Sequence, residues 1–471
     1  MRRCAELTVP YVAPRPDAGG ARPRGGALAL HNIANRRTST AARQPLWRVP
    51  ALCLLLLAAG AVQAQAPAAA PTQTLDVLHW WTSVGERRAV EQLVQQLDRR
   101  GIGWNDAAIP GGGGGGAMKV LNSRVLARDP PDVAQVIGRT LADWSDLGLV
   151  LPLDEVAQRN RWSASLFPVV QRVITHRHRI VAAPLGVHRI NTLFYNPRVF
   201  AKLRLPVPAS WDELGRAAPL LRRAGVAPLA WSDEPWQLAT VFETLLLSEG
   251  GPVLYGELAA VQRWQAWQDP RVAKALARLR WLRGLNGETA IEQRWTASAR
   301  QLYLGEAALF IMGDWVHGEL AAWDAQAGRD YGCTPVPGTA GMHLYSIDTL
   351  AMLVNRRGRA AEQERMAEVV VSPAAQLAYN QAKGSVPVRD DIDPGQLDEC
   401  ARDSWQTLKR GDSPQLPSIA HRMAADEATK DALADALHRF LKDPGITPER
   451  AQERLVALVR SAARTSPPSP P

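Results

Sequence analysis

The chain has 471 residues and a formal net charge of +9, and a length of this order exceeds one hydrophobic core, giving a prior of about three domains before any leader is removed. The charge invites a nucleic-acid reading, but residues 1–64 hold nine arginines against Glu6 and Asp17, a surplus of seven. The chain beyond residue 64 is close to neutral and has no basic stripe, which excludes the electrostatic footprint of a nucleic-acid binder.

Residues 1–42 are rich in Arg, Pro and Gly and read as sequence upstream of the true start. In 43–64, Arg43 and Arg48 precede the apolar run ALCLLLLAAGAV, and Val62 and Ala64 occupy the small positions of an A-x-A-like cleavage site. That order of features predicts a secretory signal peptide and a periplasmic location. The run is shorter than the roughly 20 residues a membrane span needs. Cys53 opens it and follows the bulky Leu52, an arrangement that argues against lipid attachment. Cleavage would leave two cysteines, Cys333 and Cys400. An oxidising compartment permits a disulfide between them, and the alternative is two separate buried thiols.

Beyond a linker at 65–74, LDVLHW reads as a strand, EQLVQQLDRR as part of an amphipathic helix, AAIP as a strand, AMKVLNSRVLA as a helix and PDVAQVIG as a strand. Such alternation predicts a parallel sheet covered by helices on both faces. LFYNPRVF starts a new strand and helix, Ser210–Glu213 (SWDE) is a capping box, and APLAWS is a further strand. Helical periodicity dominates from about 257 to 305, ALFIMGDW returns to a strand, and 464–471 is a Pro-rich tail.

The glycine run at 111–116 fits G-x-G-x-x-G trivially, and Asp129 and Asp132 come at the distance of a ribose-binding acid. A strand and helix already precede it, however, whereas the dinucleotide fingerprint comes after the first strand of its unit. The run therefore reads as a flexible turn opening a helix. His176 and His178 form an isolated H-x-H in a basic stretch, and neither H-E-x-x-H, C-x-x-C nor G-x-S-x-G occurs, so no metal, nucleophile or cofactor is implied.

Aromatic type is more informative, with 16 Trp against 6 Phe. A core packs as well with Phe, which has no N–H to satisfy. Several tryptophans lie beside carboxylates or turn residues: Trp80 and Trp81 before Glu86, Trp231 and Trp236 in WSDEPW, Trp295, and Trp315 in MGDW. An indole face suits the C–H face of a sugar ring, and charged side chains suit its hydroxyl rim. Strand alternation sends Trp80 and Trp81 to opposite sides. One ring is expected in the core and the other on a ligand, and Trp81, nearer Glu86, is the expected ligand ring.

On the segments LHWWTSVGE, AMKVLNSRV, DPPDVAQV, APLGVHRIN, PASWDEL, EPWQLATVFE, GEAALFIMGDW, TPVPGT, SIDTLAM, KGSVPVRDD and PSIAHRMA, the chain from about 74 to 463 resembles the substrate-binding proteins of bacterial ABC sugar importers, family 1 of the extracellular solute-binding proteins. It is most similar to their periplasmic glucose- and mannose-binding subgroup. The resemblance implies a periplasmic-binding-protein-like α/β fold of two lobes joined by hinge strands: 75–184 with part of about 347–412, and 185–346 with part of about 413–463. It also implies a monosaccharide such as glucose or mannose in the cleft, contacted by Trp80, Trp81, Glu86, Gln135, Trp295, Asp348, Lys383 and His421. The implied partner is an inner-membrane ABC permease, and the protein itself is expected to be a monomer. Ile137, Ser346 and Val84 depart from the subgroup's pattern, which leaves the identity of the sugar open. Two alternatives remain: a secreted glycoside hydrolase with Glu86 and Asp348 as its carboxylate pair, and a sugar-sensing binding protein.

Overall fold

The computed structural model describes residues 73–111, 114–287 and 292–465. The expected upstream segment and signal peptide, most of the expected 65–74 linker and the tail from 466 lie outside the described residues. In chain order the strands are β1 (Gln73–His79), β2 (Ile102–Ala108), β3 (Val133–Gln135), β4 (Thr175–His176), β5 (Arg179–Ile180), β6 (Ala183–Arg189), β7 (Thr192–Tyr195), β8 (Ala227–Leu229), β9 (Ala307–Met312), β10 (Gly332–Pro335), β11 (His343–Met352) and β12 (Gln415–Pro417). Among the described residues the regular structure extends from Gln73 to Thr465, two residues inside both the expected linker and the expected tail.

Two sheets carry the fold. The first has the order β12-β11-β3-β1-β2, with β6 also paired to β11, and the second has the order β10-β7-β9-β8. β1 runs parallel to β2 and β3, as strand-helix alternation predicts. The expectation of a parallel sheet holds only in part, because β11 runs antiparallel to both β3 and β6. The reason is connectivity: β11 returns from the second sheet and is not fed by a βα crossover, so no handedness rule forces it parallel. All ten of its residues are buried, as befits a strand with partners on its edges and packing on its faces.

The amphipathic helix at Val84–Asp98 covers the first sheet with Ala89, Val90, Leu93 and Leu97, which join Leu75, Val77 and Trp81 in one core cluster. The helix Pro235–Ala259 is buried on nearly every side over its first half, so it shows no periodic stripe, and periodicity alone misses it. The H-x-H stretch forms the β4–β5 hairpin, with Arg177 and His178 at positive φ. His176 Nε2 lies 2.7 Å from Asp146. Among the described residues no group of His, Cys, Asp and Glu could hold a metal, and no helix is long and apolar enough to cross a membrane.

Cys333 and Cys400 are bonded, with Cα atoms 5.9 Å apart. Cys333 lies on β10 of the second sheet. Cys400 opens the helix Glu399–Lys409, whose Ala401, Trp405 and Leu408 pack into the core of the first. The bridge therefore staples an edge of one sheet to the packing layer of the other. Closing a sequence separation of 67, it is expected to contribute about 2–4 kcal/mol by restricting the unfolded chain. Replacing both cysteines with serine should lower the urea midpoint accordingly, and dithiothreitol should shift the parent protein to the same place.

Candidate functional site

A cavity of about 280 Å³ gathers side chains from many segments of the chain, among them Trp80, Trp81, Glu86, Ile137, His188, Trp295, Trp315, Ser346, Asp348, Lys383, His421 and Arg422. Seven of the eight residues expected at the site border it. Gln135 does not. It is fully buried one layer back, where Nε2 donates to Asp348 Oδ1 at 3.2 Å and Oε1 accepts from the Trp80 backbone N–H at 3.2 Å. The structure therefore sets Gln135 behind Asp348 and the Trp80 backbone and not on the cavity surface.

The tryptophan pair keeps strand parity past the end of β1. Leu75, Val77 and Trp81 share the core facing the helix Val84–Asp98, and Leu78 joins Trp80 in the cluster on the other face. Trp81 is 1 % exposed, with its ring 5.9 Å from Tyr379 and 5.0 Å from His79. Burial lowers the His79 pKa despite its bond to Asp106, so the neutral ring can accept the Trp81 backbone N–H at Nδ1. Trp81, the expected ligand ring, is thus the more buried ring of the pair, although it too borders the cavity. It is Trp80 that stays half-buried, with the Arg422 guanidinium 5.0 Å from its ring centre.

Glu86 serves two purposes. Its Oε2 accepts from the backbone N–H groups of Thr82 and Ser83 in a capping box with Ser83, which fixes the helix start. Its Oε1 lies 3.4 Å from Nζ of Lys383, the buried last residue of the helix Pro373–Lys383. Trp295 opens the helix Trp295–Leu304 and Trp315 opens Trp315–Ala322. The Trp315 ring meets His188, His421 and Trp236 at 5.6, 5.1 and 6.5 Å, forming one aromatic wall.

His188 and Asp314 are absent from the site expected on sequence, although both lie in segments that carry the family resemblance. The register of β6 against β11 sets His188 opposite Ser346. His188 Nδ1 lies 2.5 Å from Asp314 and Nε2 3.2 Å from Asp348. Burial alone would lower the His188 pKa, but the charge and hydrogen bond of Asp314, with those of Asp348, raise it to about 9. Burial would raise Asp348, and His188 and Lys383 instead hold it below its ordinary value. His421 is the opposite case: burial, then Arg422 and Lys430, push it down to about 3, and its Nε2 lies 3.0 Å from Thr240 Oγ1. The site thus presents one charged and one neutral imidazole. His421 stands on a loop whose Ser418 hydroxyl and Ile419 and Ala420 N–H groups all donate to buried Glu243. Of the departures, Ile137 and Ser346 border the cavity, whereas Val84 is 59 % exposed.

Residues 85–376 match the model of the bacterial extracellular solute-binding proteins. The chain belongs to that family. A probable sugar-binding periplasmic protein of Brucella suis biovar 1 (strain 1330) is 32% identical over 392 residues, which is 83% of this chain and 93% of the relative. One from Rhizobium meliloti (strain 1021) is 32% identical over 86% of this chain and 98% of its own. An ABC transporter solute-binding protein of Thermotoga lettingae TMO, solved with alpha-D-tagatose, shares the fold at a TM-score of 0.69 with 18% identity, over 83% of this chain and 100% of that one. These matches place this solute-binding protein among the periplasmic sugar-binding proteins of ABC transporters, with the mixed α/β, two-lobed fold of its structural neighbours. Its relatives and neighbours are receptors and not enzymes, which sets aside the hydrolase reading of Glu86 and Asp348.

The two tryptophans should respond differently to truncation. Trp81→Ala should cost about 3–5 kcal/mol of stability through a core cavity, whereas Trp80→Ala should leave the melting temperature closer to the parent and mainly weaken ligand binding; paired melting and calorimetry separate them. Stability should also depend on alkaline pH. The folded protein retains the His188 proton to about pH 9, and the unfolded chain releases it near 6.5. The stability it contributes is complete below about pH 6.5 and is lost as pH rises through 9. Urea titrations at pH 6.5, 8 and 9.5 should show this decline, and His188→Gln should flatten it while lowering stability at pH 6.5 by about 3–5 kcal/mol, because two buried carboxylates lose their cation. Glu243, raised to about 7 by burial against its hydrogen bonds, titrates between its ordinary 4.5 and 7 and does not account for the alkaline limb.

Proposed function

We propose that this solute-binding protein holds one monosaccharide, such as glucose or mannose, in the cavity bordered by Trp80 and Asp348 and presents it to an inner-membrane ABC permease. In this reading the lobes, 75–184 with part of about 347–412 and 185–346 with part of about 413–463, close on the sugar by hinge motion. The observation that carries the reading is the convergence of indole rings from Trp80, Trp295 and Trp315 with Glu86, Asp348, Lys383 and His421 around about 280 Å³. That size lies at the low end for small-molecule pockets and suits a single sugar ring. Aromatic faces take the C–H patch of such a ring, and charged groups take its hydroxyls. Neutral His421 can accept or donate according to tautomer, and Lys383 only donates. Ile137 and Ser346 leave fewer hydroxyl partners than a glucose binder of the subgroup offers, so mannose, galactose and pentoses compete with glucose for the assignment.

Calorimetry of protein purified from the periplasm against glucose, mannose, galactose, xylose and arabinose tests the reading. One of them should bind with a dissociation constant in the micromolar range, corresponding to about -8 kcal/mol. Asp348→Asn should weaken that binding by about 1.5–3 kcal/mol, as loss of a charged hydrogen bond does. Heat of binding from none of these sugars would refute the reading.

A further inference from the structure

Arg422 comes directly after His421 in the loop beyond β12 and has φ +63°, in the left-handed region that side chains other than glycine seldom adopt. Such backbone persists only where its surroundings hold it, and it clusters at ligand sites. Here the hold is visible. The Arg422 carbonyl accepts from the Arg139 N–H at 3.2 Å, and a Cβ added to Gly138 would overlap that carbonyl. A Cβ at Gly114 would come within 2.8 Å of Arg422 Nη2 and of the Trp80 ring. One glycine thus clears the space for the Arg422 backbone and the other for its side chain.

That side chain is 3 % exposed and borders the cavity. Nη1 donates to Glu427 Oε2 at 2.8 Å, while Nε is buried without a partner and Nη2 makes no hydrogen bond among the described residues. Nε–H and one Nη2–H form a single edge of the guanidinium, spaced to meet two oxygens together. Buried donors left unpaired are rare, and a ligand is one of the things that satisfies them. Ile137, next to Gly138, supplies no donor or acceptor of its own.

We propose that Arg422 is a specificity-determining contact of the sugar site: its Nε/Nη2 edge donates to the two oxygens of a vicinal diol on the bound sugar. The proposal rests on the cavity being a sugar site. A neutral sugar fits better than an anionic one, because Glu427 already faces the guanidinium, and the cations Arg294, Lys383 and His188 that border the same space are matched by Glu86, Glu234 and Asp348.

The test uses the tightest-binding monosaccharide of the panel and its monodeoxy derivatives. Arg422→Lys keeps a cation opposite Glu427 but has no planar edge, and Arg422→Gly suits the backbone angle, so between them loss of binding is separable from loss of folding by melting temperature. Both variants should bind the parent sugar at least tenfold more weakly. The penalty for removing either of two adjacent hydroxyls should largely disappear in the variants, since the partner is already gone. Binding within twofold of the unmodified protein would overturn the proposal, as would deoxy penalties that persist in full, or a preference of the unmodified protein for a uronic acid over the neutral sugar. Failure of the unmodified protein to bind any monosaccharide would refute the sugar-site reading itself, before any substitution is made, and this role of Arg422 with it.

Discussion

The arrangement of the cavity depends on a proton held between two buried carboxylates. His188 sits on β6, Asp348 on β11, and Asp314 between β9 and the helix Trp315–Ala322. Without the imidazolium, two buried carboxylates would lose the cation they share, leaving Asp348 with the Lys383 charge, and the cost of an uncompensated buried charge is a large fraction of the stability of a whole domain. The arrangement also propagates. Asp348 accepts from Gln135, and Gln135 accepts from the Trp80 backbone, so a line of hydrogen bonds runs from the Trp315 wall to the tryptophan at the end of β1. Asp314 Oδ2 further accepts the Arg189 N–H at 2.8 Å, tying the end of β6 to the same carboxylate.

A second fixed point holds the loop that follows β12. Glu243, on the long buried helix, accepts from Ser418, Ile419, Ala420 and the hydroxyl of Tyr255. These bonds gather the donors of a tight loop on one carboxylate, and the loop in turn delivers His421 and Arg422 to the cavity. The side chains that border the cavity come from helix starts, strand interiors and loops, yet the loop and strand residues among them rest on buried polar partners. Preorganisation of this kind reduces the ordering that binding would otherwise require.

Legibility in the sequence tracks the range of the interaction. The capping acid Glu86, the helix it opens and the strand before it are local, and their residues announce them. The cysteine pairing is legible because only two candidates lie beyond residue 64. Trp81 shows how two local signals can conflict: the parity of Leu75 and Val77 points it to the core, proximity to Glu86 points it to the ligand, and parity wins because the strand geometry persists past His79. Pairing of β11 with β3 and β6, and the approach of His188 to Asp314 and Asp348, join residues more than a hundred positions apart, and no local pattern encodes them. Arg422 is hidden for another reason: nothing about an arginine signals a left-handed backbone. The long helix from Pro235 is apolar on too many sides to show a period.

The position of β11 in its sheet has a kinetic consequence. It pairs with β3, β6 and β12 at once, yet it begins only at residue 343, so a nascent chain emerging from the ribosome holds β1, β2 and β3 long before their central neighbour exists. High contact order of this kind slows folding, since long loops must close before the pairing rewards them. The first sheet, and with it the side of the cavity built on Asp348, is therefore completed late in synthesis. A precursor that cannot finish its core early stays pliable, which is the state in which a polypeptide bound for the far side of a membrane is most easily threaded across.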